Sequence, residues 1–236
     1  MNDLANSCES LAIEQNAYQK MNINQHNIII TPTVVSLING CLFTTSTNLD
    51  VDVIKHSCME LNKLIIKNYG QSEPGFYLTN SITTRVYHMY NLLMYPFPGF
   101  HDVYNKIQEL FYISYRHQKN CNDVPPHFIQ CWLNIVYKND QLDWHSHWKP
   151  EINSWHGYMH INVEGSIPAT LYKFPESQDI ITIDGKNGDM VISESKGDMH
   201  KTGLWTNDTP RISIAFDILP TTSRFYNNEL NHWIPI

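Results

Sequence analysis

Along the first half of the chain, apolar residues return at the helical period. Ile54, Cys58, Leu61, Leu64 and Ile65 form one stripe, with Asn48 or Asp50 placed to cap it and Gly70 to end it. A second stripe of Val103, Ile107, Leu110, Phe111 and Ser114 begins after Pro98-Gly99 and leaves Asp102 and Glu109 on the exposed side. Residues 76–95 are aromatic and threonine-rich, a pattern that suits a strand pair as well as a third helix. The turn cluster 120–126, closing on Pro125-Pro126, is the clearest boundary in the chain. It divides an N-terminal, mostly helical region (residues 1–125) from residues 126–236.

Beyond that boundary the period drops to two. Residues 128–137, 155–163, 170–174, 180–183, 189–193 and 211–219 all have the pattern of strands. Their separators are Asn139-Asp140, Glu164-Gly165, Glu176-Ser177, Asp184-Gly185 with Asn187-Gly188, and the turn 207–210. Many short strands with regular turn signals predict a mainly β fold, a sandwich or a barrel, with the N-terminal helices packed on it.

Composition narrows the function classes. A chain of 236 residues can build one large domain, or one domain with a substantial appendage. The formal net charge is −7 and no two Lys or Arg residues are adjacent, which argues against a nucleic-acid partner bound through its phosphates. Cys8, Cys41, Cys58, Cys121 and Cys131 are scattered, odd in number and never in a Cys-x-x-Cys pair. That argues against a disulfide framework or a zinc knuckle and suits a reducing cytoplasm. No signal-peptide pattern is visible, and no apolar run approaches the ~20 residues of a membrane span. A cytoplasmic protein with no membrane partner is expected. Of twelve histidines, six lie between Pro126 and His200.

Three elements in the β region carry candidate chemistry: His145-Ser146-His147, His200, and Arg211-Ile212-Ser213. Residues i and i+2 of an extended segment point the same way, so His145 and His147 can present two imidazoles to one point. A third ligand from a distant strand would close a facial set and leave the opposite positions open. Imidazole suits iron, zinc, copper and nickel, so ligand type alone does not name the metal. On the last strand Arg211, Ser213, Ala215 and Asp217 share one face. An Arg and a Ser side by side in a barrel interior are costly without an anionic partner. A ligand carboxylate would satisfy both the guanidinium fork and the hydroxyl.

The segments Trp132-Leu133-Asn134, Asp143-Trp144-His145-Ser146-His147, Trp155-His156-Gly157-Tyr158, Asn187-Gly188-Asp189-Met190-Val191 with His200, and Arg211-Ile212-Ser213-Ile214 resemble the core of the 2-oxoglutarate–Fe(II) oxygenases. The pattern of that superfamily is His-x-Asp/Glu, a distal His, and an Arg soon after it, often as Arg-x-Ser. Here His200 follows His145 by 55 positions, and Arg211 follows His200 by 11. The resemblance implies a double-stranded β-helix (jelly-roll) core. It implies Fe(II) held by His145, His147 and His200, and 2-oxoglutarate whose distal carboxylate is held by Arg211 with Ser213. The implied reaction is oxidation of a small-molecule or peptide substrate by O2, coupled to decarboxylation of 2-oxoglutarate to succinate. The catalytic set is then His145, His147, His200 and Arg211. One position departs from the pattern: His147 stands where the carboxylate ligand belongs.

The same segment also resembles the cupins, whose first motif is echoed by His145, His147, Glu151 and Gly157, and whose second is echoed by Gly197 and His200. That alternative is a metalloenzyme with Glu151 as fourth ligand and no use of 2-oxoglutarate. A jelly-roll binding module without catalysis is a third reading. The Arg-x-Ser strand favours the oxygenases. Asn134 and Trp132, on one strand face, are candidates to touch the co-substrate, as is Tyr158. His156 and His160 are expected to line the cavity as hydrogen-bonding groups rather than form a second metal pair. Trp144, Trp148 and Trp155 are expected to crowd the metal mouth.

Overall fold

The computed structural model describes residues 35–38, 42–69, 81–84, 91–163, 170–175, 180–223 and 232–236. Helix α1 (Val51–Tyr69) begins where an Asp50 carboxylate oxygen accepts the Val53 N–H at 3.1 Å, so Asp50 is the cap. Ile54, Cys58, Leu61 and Ile65 are buried, but Leu64 is 37 % exposed. At ~100° per residue Leu64 lies roughly 90° from the centre of the stripe, which removes it from the predicted face. Helix α2 (Phe100–Lys119) ends on Asn120, left-handed at φ 48°, whose N–H reaches the carbonyls of Arg116 and His117. Its predicted stripe is buried throughout. Glu109, expected in solvent, is half-buried and pairs with Lys106 at 2.7 Å. Gly99 opens α2 at φ 84°, and a Cβ there would come within 2.6 Å of Ile54 Cγ1, so its bare backbone lets α2 start against α1.

Two antiparallel sheets follow. The larger joins β1 (Ser36–Ile38), β2 (Leu42–Ser46), β3 (Ile82–Thr83), β4 (His127–Val136), β5 (Trp155–Asn162), β8 (Asp189–Glu194), β10 (Arg211–Pro220) and β11 (Ile234–Pro235). Its order is β1-β2-β8-β5-β10-β4-β11, with β3 also on β4. The smaller joins β6 (Thr170–Lys173), β7 (Ile180–Ile183) and β9 (Met199–Thr202) in the order β7-β6-β9. Together they form the double-stranded β-helix. Six of these strands coincide with the predicted ones to within a residue or so at each end. The N-terminal strands β1 to β3, the short β9 and β11 were not announced by periodicity. Of the ambiguous segment 76–95, the described part holds β3 and the 3₁₀ turn Leu92–Met94, and the rest lies outside the described residues.

The strands β4, β5 and β10 are buried on both faces, apart from half-buried Phe128 and Pro220. The outer face carries Ile129, Leu133, Trp155, Met159, Ile214 and Phe216 in one core with the helices. Trp155 meets Phe111 edge-on at 5.8 Å and Tyr115 at 6.0 Å. It therefore anchors α2 from outside the barrel and does not crowd the metal mouth, correcting the expectation from sequence. Gly157 lies beneath the Phe216 ring, where a Cβ would come within 2.3 Å of the Val191 carbonyl and 2.4 Å of Phe216 Cζ. No described helix is long and apolar enough to cross a membrane.

The inner face is laid out in rows by strand register. One row is Gln130, Asp217, His156 and Ser193 across β4, β10, β5 and β8. The next is Trp132, Ala215, Tyr158 and Val191, then Asn134, Ser213 and His160. Arg211 opposes Val136 at the far end.

Candidate metal and co-substrate site

After β4 the chain turns through Asn139 (φ 67°) and runs beside β9. Leu142 N–H donates to Thr202 Oγ1 at 2.8 Å, and the Leu142 carbonyl accepts from Thr202 N–H at 3.0 Å. Three residues on, His145 and His200 exchange both backbone hydrogen bonds, at 3.1 and 2.9 Å. As opposed residues of a ladder they face the same side, and their rings lie 4.3 Å apart. His147, two residues further, turns the same way, with its ring 5.5 Å from His145 and 5.0 Å from His200. One nitrogen of each of the three lies within 4.8 Å of the others, within reach of a single ion.

Hydrogen bonds fix the rings. His145 Nδ1 donates to the Asp143 carbonyl at 2.8 Å, and His147 Nδ1 donates to Asp217 at 2.5 Å. With the proton on Nδ1, a neutral imidazole keeps its lone pair on Nε2, the nitrogen that would ligate. Asp217 is fully buried and also accepts from the Trp148 indole at 2.9 Å. The Trp132 ring lies 5.8 Å from His147.

His156 lies stacked on His147 at 4.6 Å and on His200 at 5.1 Å. Its Nδ1 bonds Ser195 Oγ at 2.8 Å, while Nε2 meets Ser193 Oγ at 3.3 Å and Asp198 at 3.1 Å. Burial by itself pushes the Asp198 carboxyl up. His156 opposes this most strongly, helped by the Lys196 amide and His147, and the net result is a carboxyl held below its usual range. His156, Asp198 and His200 could also hold an ion. This group shares His200 with the first, and both His156 nitrogens also contact serine hydroxyls. His160 is another matter. Its ring packs on Gly185, neither nitrogen has a hydrogen-bond partner among the described residues, and burial, aided by the Arg211 charge, holds it well below its usual pKa. The expectation that it hydrogen-bonds in the cavity is thus corrected.

A cavity of about 620 Å³ connects these parts. His145, His147 and His200 line it together with Arg211, Ser213, Asn134 and Tyr158. Arg211 is 3 % exposed and opens β10 beside Ser213 on the inner face. Burial pushes the Tyr158 phenol up, opposed by the neighbouring Thr170 and Tyr172 hydroxyls and the Arg211 charge. Trp144 also lines the cavity and carries Lys201 over its ring at 5.2 Å, whereas Trp148 is spent on Asp217. Glu151 sits exposed on the 3₁₀ turn Pro150–Ile152, outside the ligand group. The supporting residues Asp217, Ser195 and Asp198, and the cavity-lining Thr170 and Thr202, had no assigned role in the sequence. Period two alone put Asp217 on the Arg211 face.

No family model matches the sequence, and no curated protein matches it. Solved structures do match. A prolyl-4-hydroxylase of Pseudomonas putida aligns with TM-score 0.52 at 8 % identity, over 76 % of this chain and 92 % of that one. AviO1 from Streptomyces viridochromogenes aligns with TM-score 0.50 at 11 % identity, over 78 % and 92 %. SnoK, a non-haem α-ketoglutarate-dependent carbocyclase from nogalamycin biosynthesis, aligns with TM-score 0.49 at 8 % identity, over 76 % and 79 %. The fold is shared with the prolyl-4-hydroxylase and AviO1. The donor set suits a metal ion: imidazole suits Fe(II) as it does zinc, copper and nickel, and three such ligands would leave three of six octahedral positions for exchangeable ligands. A buried guanidinium with a hydroxyl beside it suits the carboxylate of a ligand.

Proposed function

We infer that the protein is an Fe(II)- and 2-oxoglutarate-dependent oxygenase acting on a small-molecule or peptide substrate with O2, releasing succinate and carbon dioxide. The observation that carries this reading is one cavity with three convergent imidazoles and a buried Arg211-Ser213 pair. In it His145, His147 and His200 hold iron, which supplies the redox chemistry when bound. Arg211 offers two parallel N–H donors to the distal carboxylate of 2-oxoglutarate, and Ser213 adds its hydroxyl, which fixes the direction of the co-substrate. Asn134 and Tyr158 stand beside that path. Trp132, Leu142 and Trp144 form the apolar wall beside the reacting end.

Helices α1 and α2 buttress the barrel, whose larger sheet also takes in β1, β2 and β3 from before the expected boundary at residue 125, and Thr83 of β3 reaches the cavity wall, where it can meet substrate. Cys58, Cys121 and Cys131 are free thiols, compatible with work in the reducing cytoplasm. The exposed position of Glu151 weighs against a cupin-type ligand set. The test is anaerobic reconstitution with Fe(II), followed by exposure to 2-oxoglutarate and air. Stoichiometric iron and metal-dependent succinate are expected, with iron lost on Ala replacement of His145, His147 or His200 while the fold is kept. No iron binding and no succinate would leave a non-catalytic binding module.

A further inference from the structure

Three neutral imidazoles leave a dication in the barrel interior with no charge on its ligands. Burial of such a charge is costly unless an anion lies close. One does. Asp217 is fully buried, faces the barrel interior in the row of Gln130, His156 and Ser193, and accepts the His147 Nδ1–H at 2.5 Å. Its other named donor, the Trp148 indole N–H at 2.9 Å, is uncharged as well. An ionised carboxylate only accepts hydrogen bonds, so it holds His147 in the Nδ1–H form and directs the Nε2 lone pair outward. Negative charge on that hydrogen bond also makes the imidazole a stronger donor to a metal.

We propose that Asp217 is a positioning residue of the metal site, which carries through His147 a negative charge that its ligand set lacks. It touches neither metal nor substrate, and it acts by orienting and polarising His147. This rests on the assignment of His145, His147 and His200 as iron ligands. It goes beyond that assignment by naming where the compensating charge resides.

The test is a cycle of four proteins: wild type, Asp217→Asn, His147→Asp, and the double variant. Anaerobic Fe(II) affinity and the Fe(III)/Fe(II) potential are measured for each, together with folding by circular dichroism. In the wild-type background Asp217→Asn should weaken Fe(II) binding about 10- to 100-fold. It should also raise the potential, because removing an anion disfavours Fe(III) more than Fe(II). Each tenfold change in relative affinity is about 59 mV for one electron.

His147→Asp moves the carboxylate into the ligand set, as in two-His, one-carboxylate iron sites. Asp217 then becomes a redundant and repulsive neighbour. There Asp217→Asn should strengthen Fe(II) binding, reversing its sign. A role in packing alone would give the same sign in both backgrounds and leave the potential unmoved, and that result overturns the proposal. If Asp217→Asn does not fold in the wild-type background, the comparison is read between His147→Asp and the double variant. Loss of folding in both backgrounds assigns Asp217 to structure and likewise overturns it. Wild-type protein that binds no Fe(II) would instead sink the ligand assignment itself, a distinct failure.

Discussion

Arg211→Ala tests the co-substrate end of the cavity. Arg211 is 3 % exposed at the start of β10, with its charge felt by Tyr158 and His160. Truncating one partner of a buried, hydrogen-bonded charge pair costs roughly 2–5 kcal/mol. At about 1.4 kcal/mol per tenfold, that weakens 2-oxoglutarate binding by about 30-fold to a few thousand-fold. A solvent-exposed arginine would give at most about fivefold, since such pairs contribute roughly 0.2–1 kcal/mol. The two cases are therefore separable by anaerobic calorimetry of 2-oxoglutarate with the Fe(II)-loaded protein. Metal content should be unchanged, because Arg211 lies outside the ligand group. Arg211→Lys keeps the charge and loses the planar fork, so its affinity should fall between the two. A second readout is independent of ligand: without the guanidinium charge, the His160 imidazole pKa should move upward toward its ordinary range, as followed by NMR. Equal 2-oxoglutarate affinity in wild type and Arg211→Ala would refute the assignment.

The remaining predictions concern the ligand set, the core and pH. Glu151→Gln should keep its iron and its metal-dependent succinate, since Glu151 lies exposed and away from the histidines; loss of iron in that variant would restore the cupin reading. Phe111→Ala removes a fully buried ring packed on Trp155 and His127, and should cost about 3–5 kcal/mol in denaturant unfolding. A loss under about 1 kcal/mol would mean that α2 is not fixed through this contact. His160 is held neutral by burial, so its folded pKa lies below the unfolded value of about 6.5. Its contribution to stability is complete above that pH and is lost as pH falls below it, at up to about 1.4 kcal/mol per pH unit. Urea unfolding between pH 7 and 5 should show a shallower loss in His160→Gln than in wild type; parallel curves would contradict the buried, neutral histidine.

The sequence disclosed most where one physical rule acted alone. Strands β4, β5 and β10 alternate faces along their length, and the histidine pair and Arg-x-Ser strand follow directly from that alternation. Strand β9 escaped because four residues, Met199 to Thr202, carry too little pattern, although one of them is a candidate ligand. Trp155 was misplaced because nearness in sequence to His147 was taken for nearness in space. Strand alternation already set Trp155 opposite His156, and so on the helix side. Leu64 failed by angle, since it lies three residues from Leu61 but at the edge of the arc. Asp217 was visible only as a carboxylate on the inner face. What it does depends on a histidine 70 residues away, a relation that only the folded register creates.

The paired backbone hydrogen bonds between His145 and His200 bear on how the site fills. Many metal-binding chains have no settled shape until the ion arrives, so that loading and folding are one event. Here two of the ligands are opposite rungs of a ladder, and they cannot separate without breaking hydrogen bonds on both sides. An ion, in the proposed role, would then meet two candidate ligands already held in register by backbone hydrogen bonds. In the proposed role, occupancy then follows the surrounding supply of iron and 2-oxoglutarate rather than the history of the chain.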